Sequence, residues 1–179
     1  MQHFKIILAV IVSAFYFASC SPTLHPFTDD VYEEFGQSKE KLAKIQFYLS
    51  NDIVLYRDYG NKQSEVVDGK IKIVDGRKIE EIIFKKGTPG VFVFTPKKDR
   101  IAISFEEGDG KFLMFGPNSK VGGRFVLLAK EWKNRRGKVS YANKIWLTND
   151  ASAYANLMVD LDKARSTRVS KKTVKGRRI

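Results

Sequence analysis

Twelve short runs of β-branched and aromatic residues follow one another from residue 46 onward, and they constrain the fold more than any other feature. Turn-forming residues such as Asp68-Gly69, Asp75-Gly76 and Thr88-Pro89-Gly90 separate them. Strands this short, with no helices between them, pair antiparallel, because parallel pairing needs a long crossover. The runs are QFYL (46–49), IVLYRDY (53–59), EVV (65–67), KIKIV (70–74), KIEEIIF (78–84), GVFVFT (90–95), RIAISF (100–105), KFLMF (111–115), RFVLLA (124–129), KVSYA (138–142), KIWLT (144–148) and ANLMVDL (155–161).

This pattern predicts a mainly β fold, an antiparallel β-sandwich or small barrel, over residues 28–162. The last run lies within AYANLMVDLDKAR, which would serve equally well as a helix. One N-terminal helix is predicted from about residue 29 to residue 45, since Thr28 is a suitable N-cap. Gly36 weakens this helix and could divide it. With 43% hydrophobic residues, the 179-residue chain can build a packed core.

Histidine and cysteine are too scarce for most catalytic or metal sites. The two histidines are His3 and His25, both near the N-terminus, and Cys20 is the single cysteine. A nucleophile activated by an imidazole needs that ring on a folded scaffold, and zinc needs clustered ligands. The sequence therefore offers neither a Ser-His-Asp site nor a zinc site, and we expect no cofactor.

Carboxylate pairs are the remaining catalytic candidates. Glu80-Glu81 and Glu106-Glu107 are neighbours along strands or turns, and adjacent strand residues point to opposite faces. Residues 116–123 are glycine-rich but lack the Gly-Lys-Ser/Thr ending of a phosphate-binding loop. We therefore predict a protein without enzymatic activity.

The net charge of +12 is concentrated in the C-terminal part of the chain. Residues 20–110 hold 14 Lys and Arg against 16 Asp and Glu, whereas residues 111–179 hold 17 against 4. Two stretches carry much of this excess, a predicted hairpin tip at 130–138 and a basic tail at 163–179. The candidate binding residues are Trp132, Lys133, Arg135, Arg136 and Lys138 in the tip, and Lys171, Lys172, Arg177 and Arg178 in the tail.

Each basic stretch has two interpretations. The tip is either a hydrated turn or a contact patch for an anionic ligand, and the tail is either a solvated extension or an electrostatic arm. Trp132, Tyr141 and Trp146 beside these cations are also typical of nucleic-acid binding on a small β-barrel.

The N-terminus has the layout of a secretory signal peptide. Lys5 precedes an apolar run over residues 6–18, and Ala18 and Ser19 are small residues immediately before Cys20. A plain signal peptide, or a short anchor with an incidental cysteine, would also explain this layout. Phe17-Ala18-Ser19-Cys20 resembles the lipobox of bacterial lipoproteins, although Phe17 departs from the usual Leu.

The resemblance implies cleavage before Cys20, lipid on its thiol and a short tether at 20–27, since two prolines interrupt that segment. Residues 1–19 would then be absent from the mature protein. A lipoprotein without Asp after the cysteine is expected at the outer membrane, facing the periplasm. Export to a compartment with little nucleic acid argues against a nucleic-acid partner.

Three functional hypotheses follow. The first is a non-enzymatic envelope lipoprotein whose β-rich domain acts as an adaptor in a membrane-associated, secretion-type assembly. Its partners would be the membrane, through Cys20, and envelope proteins. The second is a ligand-binding or hydrolytic protein acting on an anionic envelope polysaccharide, with Trp132, Arg135, Arg136 and Lys138 as the contact patch. Anionic lipid is the other surface on which the basic tail would dock. The third is a structural subunit that pairs strands with its own copies.

Overall fold

The computed structural model describes residues 22–35, 38–58, 70–74 and 77–166, with the backbone alone for 70–74 and 77–78. The predicted signal segment at 1–19, Cys20, the run at 65–67 and tail residues 167–179 lie outside the described residues. In chain order the elements are β1 (Leu24–Pro26), α1 (Asp29–Glu34), α2 (Lys39–Leu42), β2 (Gln46–Leu49), β3 (Ile53–Asp58), β4 (Lys70–Val74), β5 (Arg77–Phe84), β6 (Pro89–Lys97), β7 (Arg100–Ser104), β8 (Leu113–Asn118), a 3₁₀ turn (Ser119–Val121), β9 (Arg124–Leu127), β10 (Glu131–Lys133), β11 (Arg136–Tyr141), β12 (Lys144–Asn149), α3 (Asp150–Ala153), β13 (Leu157–Asp160) and α4 (Leu161–Arg165).

Two antiparallel sheets pack face to face, which confirms the predicted mainly β sandwich. The seven-stranded sheet has the order β1-β13-β2-β6-β7-β8-β9, and the six-stranded sheet has the order β10-β11-β12-β3-β5-β4. The seven-stranded sheet also curls. The Phe125 N–H donates to Phe27 O at 2.9 Å and the Leu127 N–H donates to Ala155 O at 3.1 Å, so β9 lies against the opposite edge. The curl protects an edge that would otherwise be open to other chains.

Aromatic side chains fill the hydrophobic core in two clusters. In the first, the Phe27 ring contacts Phe47 and Phe125 at centroid distances of 5.1 and 5.0 Å. In the second, Phe84 contacts Tyr141 edge to face at 5.2 Å. Alternation along the strands points these residues inward, as the period of two requires.

The N-terminal segment differs from its prediction in two ways. Residues 24–27 are part of the domain, because Leu24–Pro26 pair with β13 and Phe27 is fully buried. The predicted tether at 20–27 therefore overlaps residues that belong to the domain. In place of one helix there are two, and Thr28 and Ser38 cap them by accepting hydrogen bonds from Val31 N and Lys41 N.

The C-terminal run resolves into both of its possible structures, a strand at Leu157–Asp160 followed by helix α4. The predicted tail boundary at residue 163 falls inside α4. The Arg165 guanidinium holds both carboxylate oxygens of Glu34 at 2.8 Å, which lowers the pKa of that carboxyl. The first residues of the predicted tail are thus attached to the domain.

Candidate binding surface

The β10–β11 hairpin carries the predicted tip, and the structure confirms the hairpin. Lys133 lies directly opposite Arg136, and Trp132 lies opposite Gly137. The two turn residues, Asn134 and Arg135, have φ of 49° and 62°. Positive φ at both central residues is the geometry of the two-residue turns whose twist suits a hairpin.

The hairpin separates its aromatic side chain from three of its cations. Trp132 and Gly137 face one side, whereas Lys133, Arg136 and Lys138 face the other, because paired residues share a side and neighbours alternate. A Cβ on Gly137 would come within 2.9 Å of the Trp132 ring, so this glycine lets the indole lie against the strand. Trp132 remains 42% exposed.

Ion pairs neutralise part of this charge. Lys138 Nζ lies 2.9 Å from Glu131 Oε2. The Arg135 guanidinium donates two hydrogen bonds to Asp150 Oδ2, and this contact lowers the pKa of the Asp150 carboxyl. Lys133 and Arg136 are different, since no ion pair joins either of them to another described residue. Like charges directly opposite each other destabilise a strand pair, so the local sequence is costly for folding.

These two cations border a depression of about 460 Å³. Its lining consists of Glu131, Lys133, Asn134, Arg136, Lys138 and Leu147. The depression belongs to the outer face of the six-stranded sheet, the face turned away from the other sheet. Strand pairing continues that face from Lys138 to Leu147 and from Leu147 to Tyr56.

Apolar side chains share this outer face with the cations. Ile83 is 45% exposed and Ile145 is 48% exposed, and Val54, Tyr56 and Leu147 are partly exposed. Sequence reasoning missed this feature, although the signal was present. Both Ile83 and Ile145 stand one residue away from a buried aromatic, Phe84 or Trp146, so they had to occupy the opposite face of their strands.

Two of the three aromatic residues considered for nucleic-acid binding are buried. Tyr141 is 1% exposed and Trp146 is 2% exposed, which leaves only Trp132 at the surface. The Trp146 Nε1–H donates to Tyr141 O at 3.1 Å, and the Arg57 guanidinium lies 5.4 Å from the Trp146 ring centroid on the inner side. Both rings are core residues, since their strand positions alternate inward.

The carboxylate candidates occupy structural contacts. The Tyr141 hydroxyl donates to Glu106 Oε1, and Lys111 Nζ lies 3.3 Å from Glu106 Oε2. Burial, followed by the hydrogen bond to Glu106, raises the pKa of the Tyr141 phenol. The phenol therefore keeps its proton at neutral pH. Glu80 is buried 3.9 Å from the Arg57 guanidinium, whereas Glu81 faces the other side of β5.

The described residues contain no group of three or more His, Cys, Asp or Glu side chains placed to hold a metal ion. No helix among the described residues has the length and apolar character needed to cross a membrane. The candidate residues Cys20, Lys171, Lys172, Arg177 and Arg178 lie outside this part of the chain.

Comparison of the chain with family models, curated proteins and solved structures gave no match.

Proposed function

We propose that this chain is a non-enzymatic adaptor of the cell envelope, anchored to a membrane by lipid on Cys20. In this proposal the outer face of the six-stranded sheet docks an acidic protein of a membrane-associated assembly. The observation that carries the proposal is the opposed pair of Lys133 and Arg136, which has no counter-ion among the described residues and shares its sheet face with exposed apolar side chains.

The composition of this face favours a protein partner. Protein interfaces combine an apolar centre with a polar, charged rim. Ile83, Ile145 and Leu147 would supply the centre, and Lys133 and Arg136 would steer an acidic partner and orient it. An anionic polysaccharide ligand is less well supported, because Trp132 lies on the opposite face of the hairpin from both cations. Stacking on a sugar and pairing with its charge would then require two different faces.

The anchor would hold the domain close to the membrane. Leu24 already belongs to a strand, so four residue steps separate it from Cys20. Four extended residues span at most about 14 Å. The domain would then stay near the headgroups, where the other members of a membrane-associated assembly would meet it.

Site-specific photocrosslinking in the native cell tests the docking face. A photoreactive residue at Ile83 or Ile145 should capture one fixed set of acidic envelope proteins. Lys133→Gln combined with Arg136→Gln should strongly reduce that capture. A photoreactive residue at Val91, an exposed apolar position of the other sheet, is the matched control. Equal capture from Val91, or capture that the double variant does not change, would count against the proposal.

The anchor needs its own test. A Cys20→Ala chain should leave the membrane fraction and lose capture of its partners. If it stayed membrane-bound and captured the same proteins, the lipid tether would be wrong, whereas the docking face would remain supported.

A further inference from the structure

A second recess lies where the chain crosses from one sheet to the other, and we call it the junction cleft. Its volume is about 280 Å³. It opens between β6, β7 and β8 on one side and the segment 128–130 with β11 on the other. The lining residues are Phe94, Pro96, Lys97, Arg100, Met114, Leu128, Ala129, Lys130, Val139 and Ser140.

Much of the lining of the junction cleft is apolar. Phe94, Met114 and Leu128 supply aromatic, thioether and aliphatic surface. The Phe94 ring is held in place by Phe112, edge to face at 5.0 Å. Behind the cleft, a Cβ on Gly116 would lie 2.9 Å from Leu128 Cδ1 and 3.1 Å from the Asp99 carbonyl oxygen. The absence of a side chain at Gly116 therefore lets Leu128 and the β6–β7 turn close against β8.

Three cations belong to the same lining. Lys97 and Arg100 lie directly opposite each other at the end of the β6–β7 hairpin, and Lys130 is the third. None of the three makes an ion pair with another described residue, and Asp99, in the turn between the first two, pairs with neither. No carboxylate is among the lining residues. Such a concentration of positive charge attracts an anion.

Because the recess combines apolar surface with unbalanced positive charge, it suits a ligand that has both an apolar part and an anionic part. We propose that the junction cleft binds a single-chain amphipathic anion, with its aliphatic chain against Phe94, Met114 and Leu128. The carboxylate or phosphate head group would lie at Lys97, Arg100 and Lys130. The volume is close to the lower end of ligand pockets, about 300 Å³, which suits one chain. This inference is independent of the proposed docking face, because the two sets of residues do not overlap.

Methionine methyl spectroscopy can read this site directly. The chain has three methionines, and Met114 lines the cleft, whereas Met158 lies on β13 and serves as an internal reference. The full chain, held in nanodiscs of neutral lipid, would be titrated with octanoate and with octyl phosphate. Octanol and octyltrimethylammonium are matched probes with a neutral and a cationic head group.

We expect octanoate or octyl phosphate to shift the Met114 methyl signal saturably and to leave Met158 unchanged. Octanol and octyltrimethylammonium should bind more weakly. The tighter of the two anions identifies the head group as carboxylate or phosphate. No shift at Met114, or equal affinity for octanol, would overturn the proposal.

Charge variants provide the second readout. Lys97→Gln, Arg100→Gln and Lys130→Gln together should weaken anion binding by about tenfold or more, because each removes a charged hydrogen-bond donor. Octanol binding should not change. Replacing three other lysines by glutamine, Lys39, Lys41 and Lys44 in and after α2, is the control and should leave the anion affinity unchanged. An unchanged anion affinity in the cleft variant would refute the assignment, provided that its Met158 signal shows the native fold.

Discussion

The two ends of strand β11 differ in how their polar side chains are paired. We call the end at Arg136 the open end and the end at Tyr141 the closed end. At the first residue of β11, Arg136 faces Lys133 across the hairpin, and neither has a counter-ion among the described residues. At its last residue, the Tyr141 hydroxyl donates to Glu106, which also pairs with Lys111 at 3.3 Å. The Ala142 N–H completes this closed end by donating to Gly110 O at 2.9 Å.

The difference gives the two ends of the strand opposite effects on the stability of the isolated domain. At the closed end, a buried hydroxyl has a partner, so its burial costs little free energy. At the open end, two like charges remain opposed, which costs stability in the isolated domain. A cost of this kind is recovered when an anionic partner binds, and this is the physical basis of the proposed docking face.

Removing the aromatic side chain at each end should give the largest difference between the two ends in the free energy of unfolding. Tyr141→Ala should lower the free energy of unfolding by about 3–5 kcal/mol, the usual cost of deleting a buried aromatic ring. Trp132→Ala should cost about 1 kcal/mol or less, because nearly half of its surface is already in water. Urea unfolding of the two variants measures both values. Equal losses would show that the open end is also part of the core.

Alkaline pH tests the buried proton of the closed end. The phenol of Tyr141 has its pKa raised above the ordinary 10.0 by burial, so its contribution is fully present below pH 10 and is lost as pH rises toward the folded pKa. Above pH 10, ionisation of this group in the unfolded chain should lower the free energy of unfolding by up to about 1.4 kcal/mol per pH unit. Tyr141→Phe should lower stability at neutral pH and remove this part of the slope. Urea midpoints measured from about pH 8 to about pH 11 would show the difference, and identical slopes would contradict it.

Reversing one charge at the open end should have the smallest effect, and its sign is opposite. Lys133→Glu places a carboxylate opposite Arg136 and should raise stability by about 0.2–1 kcal/mol while reducing partner capture. Lys97→Glu, opposite Arg100, is the matched variant, and it should give a similar gain while leaving that capture intact. Thermal unfolding measures the gains. A gain for Lys97→Glu alone would mean that Lys133 and Arg136 are already balanced by a part of the chain outside the described residues.

Sequence reasoning succeeded where one residue's neighbours along the chain decide the structure. Alternating apolar residues and turn residues predicted the strands and the β10–β11 hairpin, and Thr28 predicted a helix start. It did not predict β1, because His25 and Pro26 carry no strand pattern. That strand exists through its pairing with β13, and Pro26 is tolerated because β1 is an edge strand.

The features of the candidate sites also separate into those that local sequence predicts and those that depend on tertiary contacts. The sequence by itself determined the mainly β class, the basic hairpin tip and the position of Cys20, because composition, spacing and side-chain alternation are local properties. Only the tertiary structure decided that Tyr141 and Trp146 are buried, that Arg135 is paired with Asp150, and that Lys133 and Arg136 share one sheet face with Ile83 and Ile145. The junction cleft likewise joins Phe94, Met114 and Lys130 from separate elements. Burial and charge balance depend on contacts between residues far apart in the chain, and those contacts are set by how the strands pair and how the sheets pack.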